Sequence, residues 1–125
     1  MKSPVNQLTK LLLCAGITLF ASQAYAECTI PTAPIVPDGN VASTDELIAA
    51  QTGLKKFQAD LVEYRSCLAL EQEKLTASID DKNKSDLDKE QEKVLIDAYN
   101  ASVSSEEAAA DEFNTALRAY KARQN

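Results

Sequence analysis

Four oxygen-bearing side chains follow one another at the spacing of a calcium-binding loop. They are Asp81, Asn83, Ser85 and Glu92, at places one, three, five and twelve of the loop pattern. The sixth place, where such loops use glycine for a sharp turn, is Asp86, and nearby lysines lower the negative charge of the segment. The pattern therefore favours a solvated turn between two helices, and a calcium site is the alternative interpretation.

The residue types that most often catalyse acid–base or nucleophilic reactions are missing or unsuitably placed. The sequence contains no histidine, the commonest general base and a common metal ligand. No serine lies in the Gly-x-Ser-x-Gly pattern of a nucleophile elbow, and the 3 scattered glycines cannot form a phosphate-binding loop. We therefore expect a protein that is not an enzyme and that needs no cofactor.

The first 26 residues have the three parts of a secretory signal peptide. Two lysines precede an apolar stretch at 11–20, and the Ala-Tyr-Ala of 24–26 is a small-x-small cleavage site. The apolar stretch is shorter than the roughly 20 residues that cross a bilayer. We predict cleavage after this site, export, and no membrane span in the mature chain. Loss of the two lysines moves the formal net charge from −6 to −8, which disfavours nucleic acid and anionic lipid as partners.

Two cysteines, Cys28 and Cys67, belong to the predicted mature chain, whereas Cys14 lies in the leader. In an oxidising compartment such a pair is expected to form a disulfide. Closing a loop of about 40 residues stabilises a fold by roughly 4 kcal/mol on the chain-entropy model. A redox-active pair and a lipid-anchored cysteine are the alternatives. Neither the close spacing of a redox pair nor the small residue before a lipoprotein cysteine is present.

Prolines mark residues 27–42 as an extended arm. Pro31, Pro34 and Pro37 lie three residues apart, and Cys28 continues the same row. A polyproline II helix has three residues per turn, so these four side chains line one edge of the arm. An Asp-Gly-Asn sequence follows and favours a chain reversal.

Two long helices follow the arm, over residues 44–79 and 86–121, joined by a polar turn at 80–85. Ser43 and Glu46 have the spacing of a capping box at the start of the first helix. The first helix has a heptad stripe of Leu47, Ala50, Leu54, Phe57, Leu61, Tyr64, Leu68 and Leu75. The second has a less regular stripe of Leu87, Gln91, Leu95, Ala98, Ser102, Ser105, Ala109, Phe113, Ala116 and Tyr120, with a break near Ser104 as an alternative.

The lengths of the arm and the first helix match. From Cys28 to the turn the arm spans roughly 37 Å, and from the start of the first helix to Cys67 the distance is roughly 36 Å. We therefore predict an all-α fold: an antiparallel two-helix coiled-coil-like hairpin, with a polyproline II arm packed on helix 1 and tied by a Cys28–Cys67 disulfide. This register places Pro31 near Leu61 and Tyr64, Pro34 near Leu54 and Phe57, and Pro37 near Ile48.

Several short motifs resemble those of a group of small, uncharacterised exported proteins of Gram-negative bacteria. They are the cysteine with its proline row and Pro37-Asp38-Gly39, then Asp45-Glu46-Leu47, Tyr64-Arg65-Ser66-Cys67-Leu68, Tyr99-Asn100-Ala101, Phe113-Asn114 and Arg118-Ala119-Tyr120-Lys121. The resemblance implies a periplasmic location and a disulfide-tied helical form. It implies no substrate, cofactor or catalytic residue.

Long helices with stripes of small residues form surfaces rather than deep pockets. We therefore expect a non-enzymatic interaction, scaffold or chaperone-like module that binds another periplasmic or envelope protein, with homo-oligomerisation open. The alternative is a small-ligand or divalent-cation binder that uses the acidic turn at 81–92.

Overall fold

A computed structural model of the protein describes residues 28–79 and 81–125, with only the backbone of Asp81. The predicted signal peptide and its cleavage site lie outside the described residues. Helix α1 spans Thr44–Ser78, a 3-10 turn spans Asp81–Asn83, and helix α2 spans Asp86–Ala122. The described residues contain no β-strand. The predicted all-α hairpin is confirmed.

Both helices begin with a reciprocal capping box. The Ser43 hydroxyl accepts a hydrogen bond from the Glu46 backbone N–H at 3.2 Å, and the Glu46 carboxylate accepts one from the Ser43 N–H at 2.7 Å. Ser85 and Asp88 repeat the arrangement at the start of α2. Each box satisfies backbone donors that the first helical turn leaves without partners. Helix α1 ends one residue before the predicted boundary, and α2 runs on past Ser104 without a break.

The stripe predicted on α1 forms the core of the protein. Leu61 is 1 % exposed, and Phe57 beside it is 2 % exposed. From α2, Ala109 and Phe113 pack into the same cluster. The alternating steps of three and four residues keep this seam facing α2. The buried members on α1 are Leu47, Ala50, Leu54, Phe57, Leu61, Tyr64 and Leu68.

The stripe predicted on α2 is wrong toward its N-terminal end. Leu87 is 76 % exposed and Gln91 is exposed, whereas Asp88 and Glu92 are half-buried. From Leu95 toward the N-terminus, the predicted stripe takes two steps of four residues, to Gln91 and then to Leu87. Each step of four residues shifts the stripe by about 40° around a helix of 3.6 residues per turn, so it leaves the buried face. The observed half-buried positions are Ala98, Leu95, Glu92 and Asp88, at steps of three or four residues, so the stripe passes through polar residues.

The arm runs antiparallel to α1 and packs closely along it. Cys28 and Cys67 form a disulfide with Cα atoms 5.7 Å apart. Further along the arm, Pro34 lies over Gly53, where an added Cβ atom would come within 3.2 Å of the proline Cβ. Pro37 lines a shallow surface depression together with Ala49 and Ala50 of α1. These contacts confirm the predicted arm packed on α1 and tied by the disulfide.

The turn after the arm packs on α2. Asp38 fixes the turn, because its side chain accepts from the Asn40 backbone N–H at 2.9 Å and its carbonyl accepts from the Ala42 N–H at 2.8 Å. Gly39 is buried, and an added Cβ atom there would lie 1.8 Å from the Ala116 carbonyl oxygen. The turn therefore joins the arm to both helices.

Burial divides the hairpin into two halves. We call residues 28–68 and 102–122 the near half, and residues 69–79 and 81–101 the far half. Every buried residue in the described chain lies in the near half. The arm supplies a third layer there, whereas the far half consists of two helices and their turn. The near half is therefore the folded scaffold on which any site in the far half is held.

Candidate functional site

In the acidic turn, the described acidic side chains at the start of α2 take part in a helix cap and an ion pair. The Asp88 carboxylate accepts hydrogen bonds from the Ser85 backbone N–H at 2.9 Å and from its hydroxyl. Glu92 forms an ion pair with Lys84 at 2.7 Å. Among the residues whose side chains are described, no group of three or more histidine, cysteine or acidic side chains is placed to hold a metal ion. The side chain of Asp81, the first of the four predicted ligands, lies outside the described residues, and the described side chains of the turn offer no support for the calcium interpretation.

The carboxylates with lowered pKa values accept hydrogen bonds in the two helix caps and in the turn after the arm. Hydrogen bonds from the backbone and then the side chain of Ser43 hold the pKa of Glu46 below its ordinary value. For Asp88 the side chain of Ser85 is the larger cause and its backbone N–H the second. The pKa of Asp38 is lowered mainly by the backbone hydrogen bond from the residue two positions later. A lowered pKa keeps each group ionised at neutral pH, which suits a cap and not a general acid.

A polar network between the helices marks the border of the two halves. The Arg65 Nε donates to the Ser102 hydroxyl at 2.9 Å, and its Nη2 forms an ion pair with Glu106 at 2.6 Å. The Ser102 hydroxyl donates to the Tyr99 carbonyl at 2.6 Å. The Arg65 guanidinium also lies 5.9 Å from the centre of the Tyr99 ring, within cation–π range. The network fixes the register of α1 against α2 at this level.

The sequence interpretation missed this network. It placed Ser102 on the α2 stripe as a small residue, but it assigned no role to Arg65. The signal that was available is a serine at a seam position, because a buried hydroxyl needs a hydrogen-bond partner. Three tyrosines differ in exposure: Tyr64 is buried, Tyr120 is half-buried and shares a hydrogen bond with the Thr44 hydroxyl, and Tyr99 is 47 % exposed.

An apolar groove opens between the helices in the far half. Six side chains line it, and only one of them is polar. Ile96 is 45 % exposed there, and Tyr99 is 47 % exposed. Leu68 in the groove belongs to the core of the near half, and Leu95 packs against that core. The groove therefore continues the core to the surface. Its lining residues are Leu68, Ala69, Gln72, Leu95, Ile96 and Tyr99.

The groove lies on the face of the hairpin opposite the arm. Cys67 faces the arm, to which it is bonded. Ala69 follows two residues later, a rotation of about 200° around the helix axis, and it lines the groove. The disulfide therefore holds the arm on one side of α1 while the groove remains open on the other. We call this feature the far groove.

Comparison of the chain with protein-family models, with curated proteins and with solved structures finds no match. Of the helices in the described part of the chain, neither has a stretch of the length and apolar character needed to cross a bilayer. The far groove is therefore the candidate site, on the strength of its geometry and exposure.

Proposed function

We propose that this chain is a non-enzymatic protein-interaction module of the bacterial periplasm, and that it binds another protein in the far groove. One observation carries the proposal. An apolar groove with Ile96 and Tyr99 half-exposed continues the core onto the surface, in the half of the hairpin that has no third layer.

The composition of the far groove favours protein binding over catalysis. Its one polar lining side chain is Gln72, whereas an active site needs several polar groups that converge on a reacting atom. Tyr99 is of a residue type enriched in the energetic centres of protein interfaces. Ile96 and Tyr99 are three residues apart, so they lie on one helix face and offer a contact surface to an amphipathic helix.

The near half supplies the rigidity that a docking surface needs. The disulfide holds the arm at Cys67, one residue from the first groove residue, Leu68. The Arg65 network fixes α1 against α2 at the border of the groove. Side chains held by such a scaffold lose little conformational freedom on binding, and this loss is a main cost of association.

Export is part of the proposal. The leader pattern at 1–26, the resemblance to exported helical proteins and the bonded cysteines all agree with an oxidising compartment. A reducing cytosol would leave the arm without its covalent anchor at Cys67.

Site-specific photocrosslinking in living cells tests the proposal. A photoreactive amino acid replaces Ile96 in the far groove, and the matched control replaces Ile48, an exposed isoleucine on α1 in the near half. We expect a light-dependent covalent adduct with a protein at position 96 and none at position 48. Absence of an adduct at 96, or equal adducts at both positions, would refute docking in the far groove.

A further inference from the structure

Residues 29–37 of the arm are held against the hairpin without hydrogen bonds. Between this stretch and the rest of the described chain, no hydrogen bond is formed. A polyproline II segment forms none internally, and the backbone groups of α1 beside it are already paired within the helix. The stretch therefore adheres to α1 through its side chains.

The side-chain packing of the arm is shallow. No residue of 28–37 is buried, and the side chains alternate between exposed and half-buried along the stretch. Every ordered residue costs conformational entropy, and a half-buried side chain offsets less of that cost than a buried one does. Packing alone is therefore a weak hold on the arm. The half-buried residues are Cys28, Pro31, Pro34, Val36 and Pro37.

Two anchors hold the ends of the arm. At one end is the turn, where the Asp38 carbonyl accepts from the Ala42 N–H and Gly39 packs under the Ala116 carbonyl. At the other end is the disulfide between Cys28 and Cys67. Without the disulfide, the described arm would be attached at the turn alone.

The contacts between the two helices do not depend on the arm. Leu61 and Phe57 are the least exposed side chains of α1, and they share one cluster with Ala109 and Phe113 of α2. The Arg65 network also joins α1 directly to α2. The hairpin therefore keeps an apolar core and a fixed register when the arm leaves.

We propose that the disulfide is a redox latch: a dithiol reductant releases residues 28–37 from α1 while the helical hairpin stays folded. Both cysteines are only half-buried, and their neighbours Thr29 and Ser66 are exposed, so the bond lies at the surface where a thiolate reaches it. Release uncovers the side of α1 opposite the far groove. The latch goes beyond the docking function, and neither depends on the other.

The exchange is balanced by the dithiol. One of its thiolates attacks a sulfur of the disulfide, forms a mixed disulfide and expels the other cysteine as a thiolate. The second thiolate of the dithiol then closes its own disulfide and expels the remaining cysteine. Two electrons pass from the dithiol to the bridge, and the two protons that the dithiol loses are balanced by those that Cys28 and Cys67 take up.

Nuclear magnetic resonance relaxation, on the purified product of the full-length gene with dithiothreitol as the reductant, tests the release. We expect the order parameters of the non-proline amides in 29–36 to fall from about 0.85 to below about 0.6 on reduction. Those of 54–68 and 102–116 should stay near about 0.85. Removing the reductant and adding oxidised glutathione should restore the ordered arm. Cys67→Ser should show the mobile arm without reductant, whereas the matched control Ser66→Ala should keep it ordered until reduction.

The rate of reduction tests whether the folded protein is the substrate. Alkylation followed by intact-mass measurement counts the reduced molecules with time. We expect a rate proportional to the dithiothreitol concentration and faster than global unfolding, because the reductant attacks the native bond. A rate that levels off at the global unfolding rate would overturn the latch.

Two relaxation results would also overturn it. An arm that keeps its order parameters after complete reduction is held by packing and not by the bond. Loss of order in 54–68 and 102–116 together with the arm would mean that the disulfide supports the whole fold. Neither result bears on the photocrosslinking at position 96, so failure of the latch and failure of the docking function are distinguishable.

Discussion

Replacing Gly39 by alanine tests how the turn joins the arm to the hairpin. The new Cβ atom would lie 1.8 Å from the Ala116 carbonyl oxygen and 2.6 Å from its carbonyl carbon. Non-bonded atoms need about 3.4 Å, so the turn or α2 must move by about 1.5 Å. Both atoms that clash belong to backbone, and neither can rotate away. We expect the turn to separate from α2 at this point.

The magnitude follows from the cost of overpacking. Inserting a methyl group into a packed site without room destabilises by about 1–3 kcal/mol, and the rigid backbone on both sides places Gly39→Ala near the upper end. The lower conformational entropy of the unfolded alanine chain offsets about 0.4–1 kcal/mol. A net loss of about 2 kcal/mol corresponds to a fall in Tm of roughly 8–16 °C for a domain of this size.

Gly53→Ala is the matched control. The added Cβ atom would lie 3.2 Å from the Pro34 Cβ, and the half-exposed arm can shift outward by a few tenths of an ångström. Alanine is favoured over glycine in a helix interior by about 1 kcal/mol. We therefore expect Gly53→Ala to be as stable as the wild type or slightly more stable. Urea unfolding with the disulfide intact measures both variants. Equal stability of Gly39→Ala and Gly53→Ala would refute the packing of the turn on α2.

Four further predictions address the disulfide, the network, the caps and the turn. Cys67→Ser should lower the free energy of unfolding by roughly 2–4 kcal/mol; an unchanged thermal midpoint would show that the bond does not constrain the arm. Arg65→Ala should cost about 2 kcal/mol in urea unfolding, since it removes charge-assisted bonds between the helices, and a neutral result would mean that the network is not formed. The pKa of Glu46 is lowered in the fold from its ordinary value of 4.5, so its stabilising effect is present above pH 4.5 and is lost as the pH falls through the lowered value. In an acid titration, Glu46→Gln should lose less stability over that pH range than the wild type does. Identical pH profiles of the variant and the wild type would exclude the cap as a source of the pH dependence. Millimolar calcium should not raise Tm, because Glu92 is paired with Lys84; a rise would revive a cation site at the turn.

Much of the near half follows from local rules that the sequence displays. The capping box at Ser43 and Glu46 and the heptad stripe around Leu61 are both short-range patterns. Each can be recognised from the residue spacing within a single helix. The arm was predictable because proline restricts the backbone and because its length matches that of α1 up to Cys67. These features needed no knowledge of the partner helix.

The far half could not be predicted in the same way, because its seam contains polar residues. A search for apolar side chains selected Leu87, which is exposed, and passed over Asp88, which is half-buried. The Arg65 network depends on which residue of α2 lies opposite, and periodicity on one helix does not give that register. The far groove likewise appears only when Ala69 and Ile96 are placed side by side.

Hydrogen exchange of the backbone amides tests most directly whether the two halves of the hairpin differ. We predict that residues 69–78 and 86–99 exchange faster than 47–68, because the far half has no buried core. Equal protection along the whole of α1 would contradict a well-packed near half and an open docking groove in the far half.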